Sequence, residues 1–160
     1  MSTQPETAAH GIDPRGPRFG AGITAVLLLV DIFLAVAGLH GVALVLLVAL
    51  ALVFGWGAFA GIQRHPYGAL FRALVRPRLS PPTELEDPAP PTFAQGVGLV
   101  VTAIGVILGI FFPVLVPIAA ALAFVAAFLN SVFGLCVGCQ IYLALVRAGV
   151  IRRHAGSAAA

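Results

Sequence analysis

Residues 42–62 read VALVLLVALALVFGWGAFAGI, an apolar stretch without a single charged side chain. A helix of about 20 such residues is long enough to cross the hydrocarbon core of a bilayer. Three other apolar stretches are comparable, namely residues 21–39 (interrupted by Asp31), 93–112 and 114–146, and short turns join the four in pairs. The pattern predicts an all-α fold, a four-helix transmembrane bundle made of two helical hairpins.

The composition supports the same class of protein. Of the 160 residues, 60% are hydrophobic and 9% are charged, against roughly 25% charged residues in an ordinary soluble domain. So few charges cannot cover a soluble surface, which excludes a cytosolic globular enzyme, a coiled coil and a disordered tail. The net charge of +3 comes from scattered arginines and not from a clustered stripe, so nucleic-acid binding is not expected. Arginine without lysine, beside abundant Ala, Gly and Val, is typical of a high-GC bacterium.

The arginines also predict the orientation. They precede the first apolar stretch (Arg15, Arg18), lie between the second and third (Arg64, Arg72, Arg76, Arg78), or follow the last (Arg147, Arg152, Arg153). The two remaining turns have none. By the positive-inside rule, both termini and the central loop are predicted to be cytoplasmic, in a multi-pass protein of the inner (plasma) membrane.

This orientation divides the chain into five predicted parts. They are a cytoplasmic tail (1–18), a first transmembrane hairpin (19–62), a cytoplasmic loop (63–92), a second transmembrane hairpin with both cysteines (93–147) and a cytoplasmic tail (148–160). The last apolar stretch, with 33 residues, would be nearly 50 Å long as one helix, so it must tilt, protrude or break. Asn130, Ser131 and Gly134 are the expected places for a break.

The central loop has two predicted parts. In residues 66–79, the side chains of Tyr67, Leu70, Phe71, Leu74 and Val75 recur at helical spacing, which predicts an amphipathic helix in the headgroup plane. An anionic-lipid site is the alternative interpretation. Residues 80–92, SPPTELEDPAPPT, predict a stiff, solvated connector. Three pairs of small residues, Gly57/Gly61, Gly105/Gly109 and Gly134/Gly138, are interpreted as positions where helix backbones approach closely.

Both cysteines lie in one motif, Cys136-Val137-Gly138-Cys139. Such a pair can cycle between dithiol and disulfide or hold half of a metal site, and the alternative is that both thiols only fill space. Counted back from residue 146 along a continuous helix, Cys139 is about 10 Å and Cys136 about 15 Å inside the membrane. We therefore expect Cys139 to be the more accessible thiol and Cys136 its buried partner. The usual thioredoxin context, with the motif at a helix N-terminus after a strand, is not evident.

Asp31 is the second candidate for chemistry, because an acid inside a span is costly. Thr24 and Ala35 share its helical face, which predicts that it points into the bundle, at the depth of Cys136 and Thr102. It could donate a hydrogen bond, accept a proton from Cys136, or form a structural tie to Thr102 or Gln140. The four histidines (His10, His40, His65, His154) have no ligand spacing, so neither a metal site within one chain nor a cofactor is expected.

Three segments carry a resemblance to a known family. Residues 12–19 (IDPRGPRF), 93–98 (FAQGVG) and 133–142 (FGLCVGCQIY), in this order, resemble the family of unknown function numbered 4395, small bacterial integral membrane proteins. The resemblance covers nearly the whole chain and implies no established activity. It implies an association with thioredoxin-like or sulfurtransferase proteins, which suits a membrane dithiol. An acid that often precedes the last motif in similar sequences is replaced here by Asn130.

The sequence thus predicts a membrane thiol/disulfide or sulfur relay through Cys136 and Cys139, with Asp31 as a polar partner inside the membrane. Two alternatives stay open. One is a non-catalytic scaffold or assembly subunit whose cysteines are packing residues. The other is a small transporter, or a metal-handling homo-oligomer in which two such pairs complete a four-sulfur site. Whether the protein is an enzyme is left open by the residues.

Overall fold

Proline and glycine positions decide where the helices of this chain begin and end. The computed structural model describes residues 11–151, and the ends of the predicted tails, 1–10 and 152–160, lie outside the described residues. The helices are α1 (Arg15–Val36), α2 (His40–Ala60), α3 (Pro66–Leu70), α4 (Ala89–Gly109), α5 (Leu115–Phe133) and α6 (Val137–Arg147). The described part of the chain contains no strand beyond one isolated bridge. The all-α prediction is confirmed.

Four of these helices, α1, α2, α4 and α5, are long and apolar enough to cross a membrane, so the chain has the make-up of a multi-pass membrane protein. Both α1 and α4 begin before their apolar stretches, at Arg15 and Ala89. In α4 the early start is compatible with prolines in the first turn, because the first N–H groups of a helix have no intrahelical acceptor.

The last apolar stretch breaks at Gly134, one of the predicted positions. Gly134 ends α5 with φ of 69°, in the left-handed region that glycine adopts without strain. Cys136 is then extended, and α6 begins at Val137. Because α6 has only 11 residues, it is about 16 Å long and too short to span the bilayer.

The four long helices form a ring in which each neighbour is antiparallel. α1 packs most extensively against α5 and α2 against α4, with the hairpin pairs α1/α2 and α4/α5 completing the ring. The tightest part of the core is the half nearer the two hairpin turns, where Leu28, Leu47 and Val116 are buried.

The predicted close approach of helices is confirmed at Gly105 and Gly109, which face Ala119 and Val116 of α5. Gly138 also lies at a close approach, because α6 meets the backbone of Ala94 in α4 there. The remaining three glycines act differently from the prediction: Gly57 is covered by side chains, and Gly61 and Gly134 have positive φ and end helices.

The segment after α2 is helical but irregular, whereas the sequence predicted one regular amphipathic helix over residues 66–79. α3 continues into a π-helical turn (Phe71–Val75) and a 3-10 turn (Arg76–Arg78), because Pro77 cannot continue the regular hydrogen bonding. Its apolar side chains are also divided between two surroundings. Phe71 is 3% exposed and packs on Gly16 and Phe19 of α1, whereas Leu74 is 51% exposed. The segment therefore docks on α1 through Phe71.

The connector that follows is attached to the N-terminal segment of the chain. Ile12 and Glu86 exchange two backbone hydrogen bonds of 2.9 Å, and the Arg15 guanidinium donates to the Ser80 carbonyl at 3.0 Å. Residues 80–87 of the connector are mostly exposed, as expected of a solvated segment, and these hydrogen bonds attach it to the start of α1. The two hairpins are tied to each other at this end of the bundle, where α1 and α4 begin.

Candidate functional site

The two cysteines lie at the N-terminus of α6 and form a disulfide, with their Cα atoms 5.2 Å apart. Cys136 is the N-cap residue, and its Sγ accepts the backbone N–H of Cys139 at 3.3 Å. The sequence predicted that the pair lies within a continuous helix. That prediction is wrong, because α5 ends at Gly134 and a new helix, α6, begins within the motif at Val137. The pair thus has the helix N-terminus that it was expected to lack, although no strand precedes it.

The depth expected for Cys136 is also wrong. Gly138 packs on Ala94 near the start of α4, and the ring of Tyr142 lies 5.6 Å from that of Phe93. Arg18, near the start of α1, lies beside Gly134. Asp31 is 13 residues further along α1 than Arg18, about 20 Å away along the helix. Cys136 is therefore not level with Asp31, and direct proton transfer between them is excluded.

A cavity of about 330 Å³ opens at the same end of the bundle, and Cys136 lines it. Its walls come from small residues of three helices, including Gly16, Gly20, Ala94, Gly98, Ala126 and Ala127. α1 and α4 lie on opposite sides of the ring at this end of the bundle. The side chains that they direct toward its centre are small, so the space between the two helices is not filled. Deeper in the bundle, larger buried side chains such as Leu28 and Leu47 close the space.

Charged groups are confined to the mouth of the cavity. Asp13, Arg72 and Arg76 line it there. The Arg15 guanidinium forms an ion pair with Asp13 at 2.7 Å, and this hydrogen bond lowers the pKa of the Asp13 carboxyl. Asp13 is thus a carboxylate at neutral pH, and it fixes the start of α1 beside the mouth. The mouth carries both signs of charge.

His65, in the turn between α2 and α3, is the buried titratable group of the cavity wall, with 4% of its surface exposed. Its Nδ1 accepts the backbone N–H of Tyr67 at 3.3 Å, so the neutral ring carries its proton on Nε2. That Nε2 is buried and makes no hydrogen bond of standard geometry to a described residue. Burial lowers the pKa of His65, so the ring is neutral at pH 7.

The buried His65 predicts a pH dependence of stability. Because the pKa of His65 is lower in the folded protein than the ordinary value of 6.5, the unfolded chain takes up the proton first as the pH falls. Stability is then complete above pH 6.5 and is lost below it, by at most about 1.4 kcal/mol per pH unit. Unfolding measured in detergent at pH 8 and pH 5 should show this loss for the wild type and a smaller one for His65→Gln. Parallel curves for the two proteins would contradict the assignment.

Asp31 points into the bundle, as its helical face predicted. Its side chain is fully buried, and Thr24 and Ala35 on the same face are buried too. The two predicted ties are not formed. The Thr102 hydroxyl donates to the Gly98 carbonyl of its own helix at 2.8 Å, and Gln140 is exposed. Neither carboxyl oxygen of Asp31 has a hydrogen-bond partner among residues 11–151.

Within residues 11–151, no group of three or more His, Cys, Asp or Glu side chains is placed to hold a metal ion. The structure instead brings Cys136, His65 and Gln95 to one cavity, which the sequence did not predict. A usable signal was present, since Gly16, Gly20 and Ala94 are small residues close to the start of their helices. Which helices face each other across a bundle is not readable from such spacing.

A family model described as Domain of unknown function (DUF4395) matches residues 12–147. No curated protein and no solved structure matches the chain.

Proposed function

The chain belongs to the DUF4395 family, and we propose that it is a membrane dithiol–disulfide relay in which Cys136 and Cys139 exchange electrons with a partner at the cavity mouth. One observation carries the proposal: both cysteines lie in the first turn of a helix whose N-terminus borders an open cavity. A purely structural pair would gain nothing from this position. A reactive pair gains a stabilised thiolate and access to a second molecule.

The geometry assigns different roles to the two thiols. When the pair is reduced, the N–H of Cys139 and the positive end of α6 both favour the thiolate of Cys136. Cys136 is therefore the attacking residue and Cys139 the resolving one. This reverses the sequence-based ranking, which assumed a continuous helix and a more accessible Cys139.

The exchange balances without any further reactant. The Cys136 thiolate attacks one sulfur of a partner disulfide, the partner's S–S bond breaks, and its first thiolate leaves and takes up a proton. The Cys139 thiolate then attacks Cys136 Sγ and releases the second partner thiolate, which is also protonated. The products are the Cys136–Cys139 disulfide and a reduced partner, and the reverse sequence reduces the pair again.

The compartment supports a reactive pair over a structural one. With both termini and the central loop assigned to the cytoplasm by the arginine distribution, the cavity mouth faces the cytoplasm. Disulfides in that compartment are rare, and those that occur are mostly transient and catalytic. A thioredoxin-like or sulfurtransferase protein is the partner class that we propose, because such proteins carry an active-site sulfur at their surface and Cys136 lines an open cavity whose mouth includes Arg72 and Arg76.

Single-cysteine variants test the roles directly. We expect full-length Cys139→Ser, which retains Cys136, to react with an aromatic disulfide at pH 7 at least about tenfold faster than Cys136→Ser, because its thiolate is stabilised. The measurement is the release of the coloured aromatic thiol from inverted membrane vesicles. A membrane-impermeant reagent added to intact cells should leave both variants unlabelled, as a cytoplasmic mouth requires.

Two results would overturn the proposal. If both thiols of the wild type are inert to a permeant alkylating reagent after reduction, the pair is packing and the scaffold alternative gains support. If the purified protein instead contains one zinc ion per two chains, the metal-handling dimer is favoured. Labelling of Cys136 from outside intact cells would reverse the orientation but keep the relay.

A further inference from the structure

We propose that the cavity binds a lipid-soluble quinone, which accepts the two electrons of the Cys136/Cys139 dithiol. The inference rests on the proposed relay and specifies its second partner. A relay that takes electrons from one molecule must pass them to another, and the cavity lies inside the helix ring. A folded protein can reach the mouth but cannot enter, so the inner part of the cavity fits a small molecule.

The depth and lining of the cavity indicate an apolar, uncharged occupant. The cavity extends to Val101, 12 residues after the start of α4 and thus about 18 Å along that helix. Its innermost residues include Phe54, Val101 and Leu122, and its charged residues are at the mouth. A volume of about 330 Å³ is in the usual range for a small-molecule site. An anionic thiol compound would find no countercharge in the inner part.

Neutral hydrogen-bonding groups lie on the wall between α2 and α4. The ring of His65 and the side chain of Gln95 both lie over Gly57, with His65 Cδ2 2.8 Å and Gln95 Cγ 2.6 Å from where a Cβ would be. The Nε2 proton of His65 makes no hydrogen bond of standard geometry to a described residue; the Val53 backbone carbonyl interacts with the ring and raises its pKa, but burial lowers the pKa more and keeps the ring neutral. A carbonyl oxygen is the acceptor that such a donor requires. A quinone has two carbonyl oxygens on an apolar ring.

The electron transfer balances as follows. Cys136 Sγ forms a bond to a ring carbon of the quinone, and the Cys139 thiolate then attacks Cys136 Sγ. The sulfur–carbon bond breaks, its electron pair stays with the ring, and the Cys136–Cys139 disulfide forms. The two thiol protons end on the two quinol oxygens. One dithiol is thus oxidised by two electrons for each quinone reduced.

The experiment uses the full-length protein in lipid nanodiscs, reduced and freed of reductant, with a short-chain ubiquinone or menaquinone as the probe. We expect one quinol per protein by absorbance, together with the disulfide by gel shift. Ala126→Trp, which fills the cavity, should slow quinol formation at least tenfold. Val125→Trp is the matched control, because Val125 is the neighbouring residue and is 53% exposed on the outer face.

A second measurement does not depend on the folding of a cavity variant. In Cys139→Ser, the same quinone should slow alkylation of Cys136 in a saturable manner. If the dithiol reacts with an aromatic disulfide but yields no quinol, and quinone does not protect Cys136, the inference is wrong while the relay stands. Reaction with glutathione disulfide but not quinone likewise assigns a soluble acceptor. If the dithiol reacts with none of these probes, the relay itself fails.

Discussion

Gly105→Ala is expected to lower the free energy of unfolding by about 1–3 kcal/mol, although the change adds one methyl group in a helix. Alanine is normally the better helix residue. At Gly105, however, the new Cβ would overlap the Cβ of Ala119 across the α4/α5 contact, far inside van der Waals distance. The helices would have to separate along the buried cluster that contains Ala119 and Val116. The measurement is reversible unfolding in detergent micelles.

Two variants control for the Gly105 result. Gly96→Ala, in the same helix, adds its methyl to open space and should leave stability unchanged or raise it by up to about 1 kcal/mol. The double variant Gly105→Ala/Ala119→Gly restores the total number of methyl groups and should recover much of the loss. If Gly105→Ala is as stable as Gly96→Ala, the two helices do not meet at this glycine.

Phe71→Ala should detach the segment 66–78 from α1. The Phe71 side chain is 3% exposed between Gly16 and Phe19, and the removal of a buried phenylalanine costs about 3–5 kcal/mol. About 3 kcal/mol corresponds to a roughly hundredfold larger population of the detached segment. Trypsin cleavage after Arg72 and Arg78, neither of which precedes a proline, should rise accordingly in inverted vesicles.

Leu74→Ala is the matched control for Phe71→Ala, because it removes an apolar side chain of the same segment that is 51% exposed. We expect little change in trypsin cleavage for it. Equal cleavage of the two variants would mean that the segment is held by lipid through its whole apolar face, as the periodicity alone predicted. The contrast between the two side chains separates docking on protein from docking on the bilayer.

The helical class and the four spans were predictable because a membrane-spanning helix needs only its own apolar residues. Residues 42–62 contain no charge, and no tertiary contact is required to interpret them. The inward direction of Asp31 was predictable from Thr24 and Ala35 for the same reason, since all three belong to one helix. The predicted tie from Asp31 to Thr102 is not formed, because the Thr102 hydroxyl donates to a carbonyl of its own helix, which the spacing along α1 does not reveal.

The cysteine site shows where sequence reasoning failed. Gly134 was a predicted break, yet the depth of Cys136 was counted back from residue 146 as though no break existed. A glycine that ends one helix two residues before a cysteine makes that cysteine a helix cap. The cavity could not be predicted, because it depends on small residues of separate helices that meet only in the assembled ring. His65 was missed since a turn histidine gives no spacing to interpret.

The buried carboxyl of Asp31 has a consequence for biosynthesis. An aspartate at the centre of a span costs about 2.5–3.5 kcal/mol when the helix is released into lipid. The side chain is fully covered in the finished bundle, and α5, the helix that packs most extensively on α1, is translated after α1, α2 and α4. Before α5 has been inserted and packed on α1, the carboxyl of Asp31 in the first hairpin is exposed to lipid, which cannot solvate it. We therefore expect membrane quality-control proteases to distinguish truncated chains from complete ones by the exposed carboxyl of Asp31.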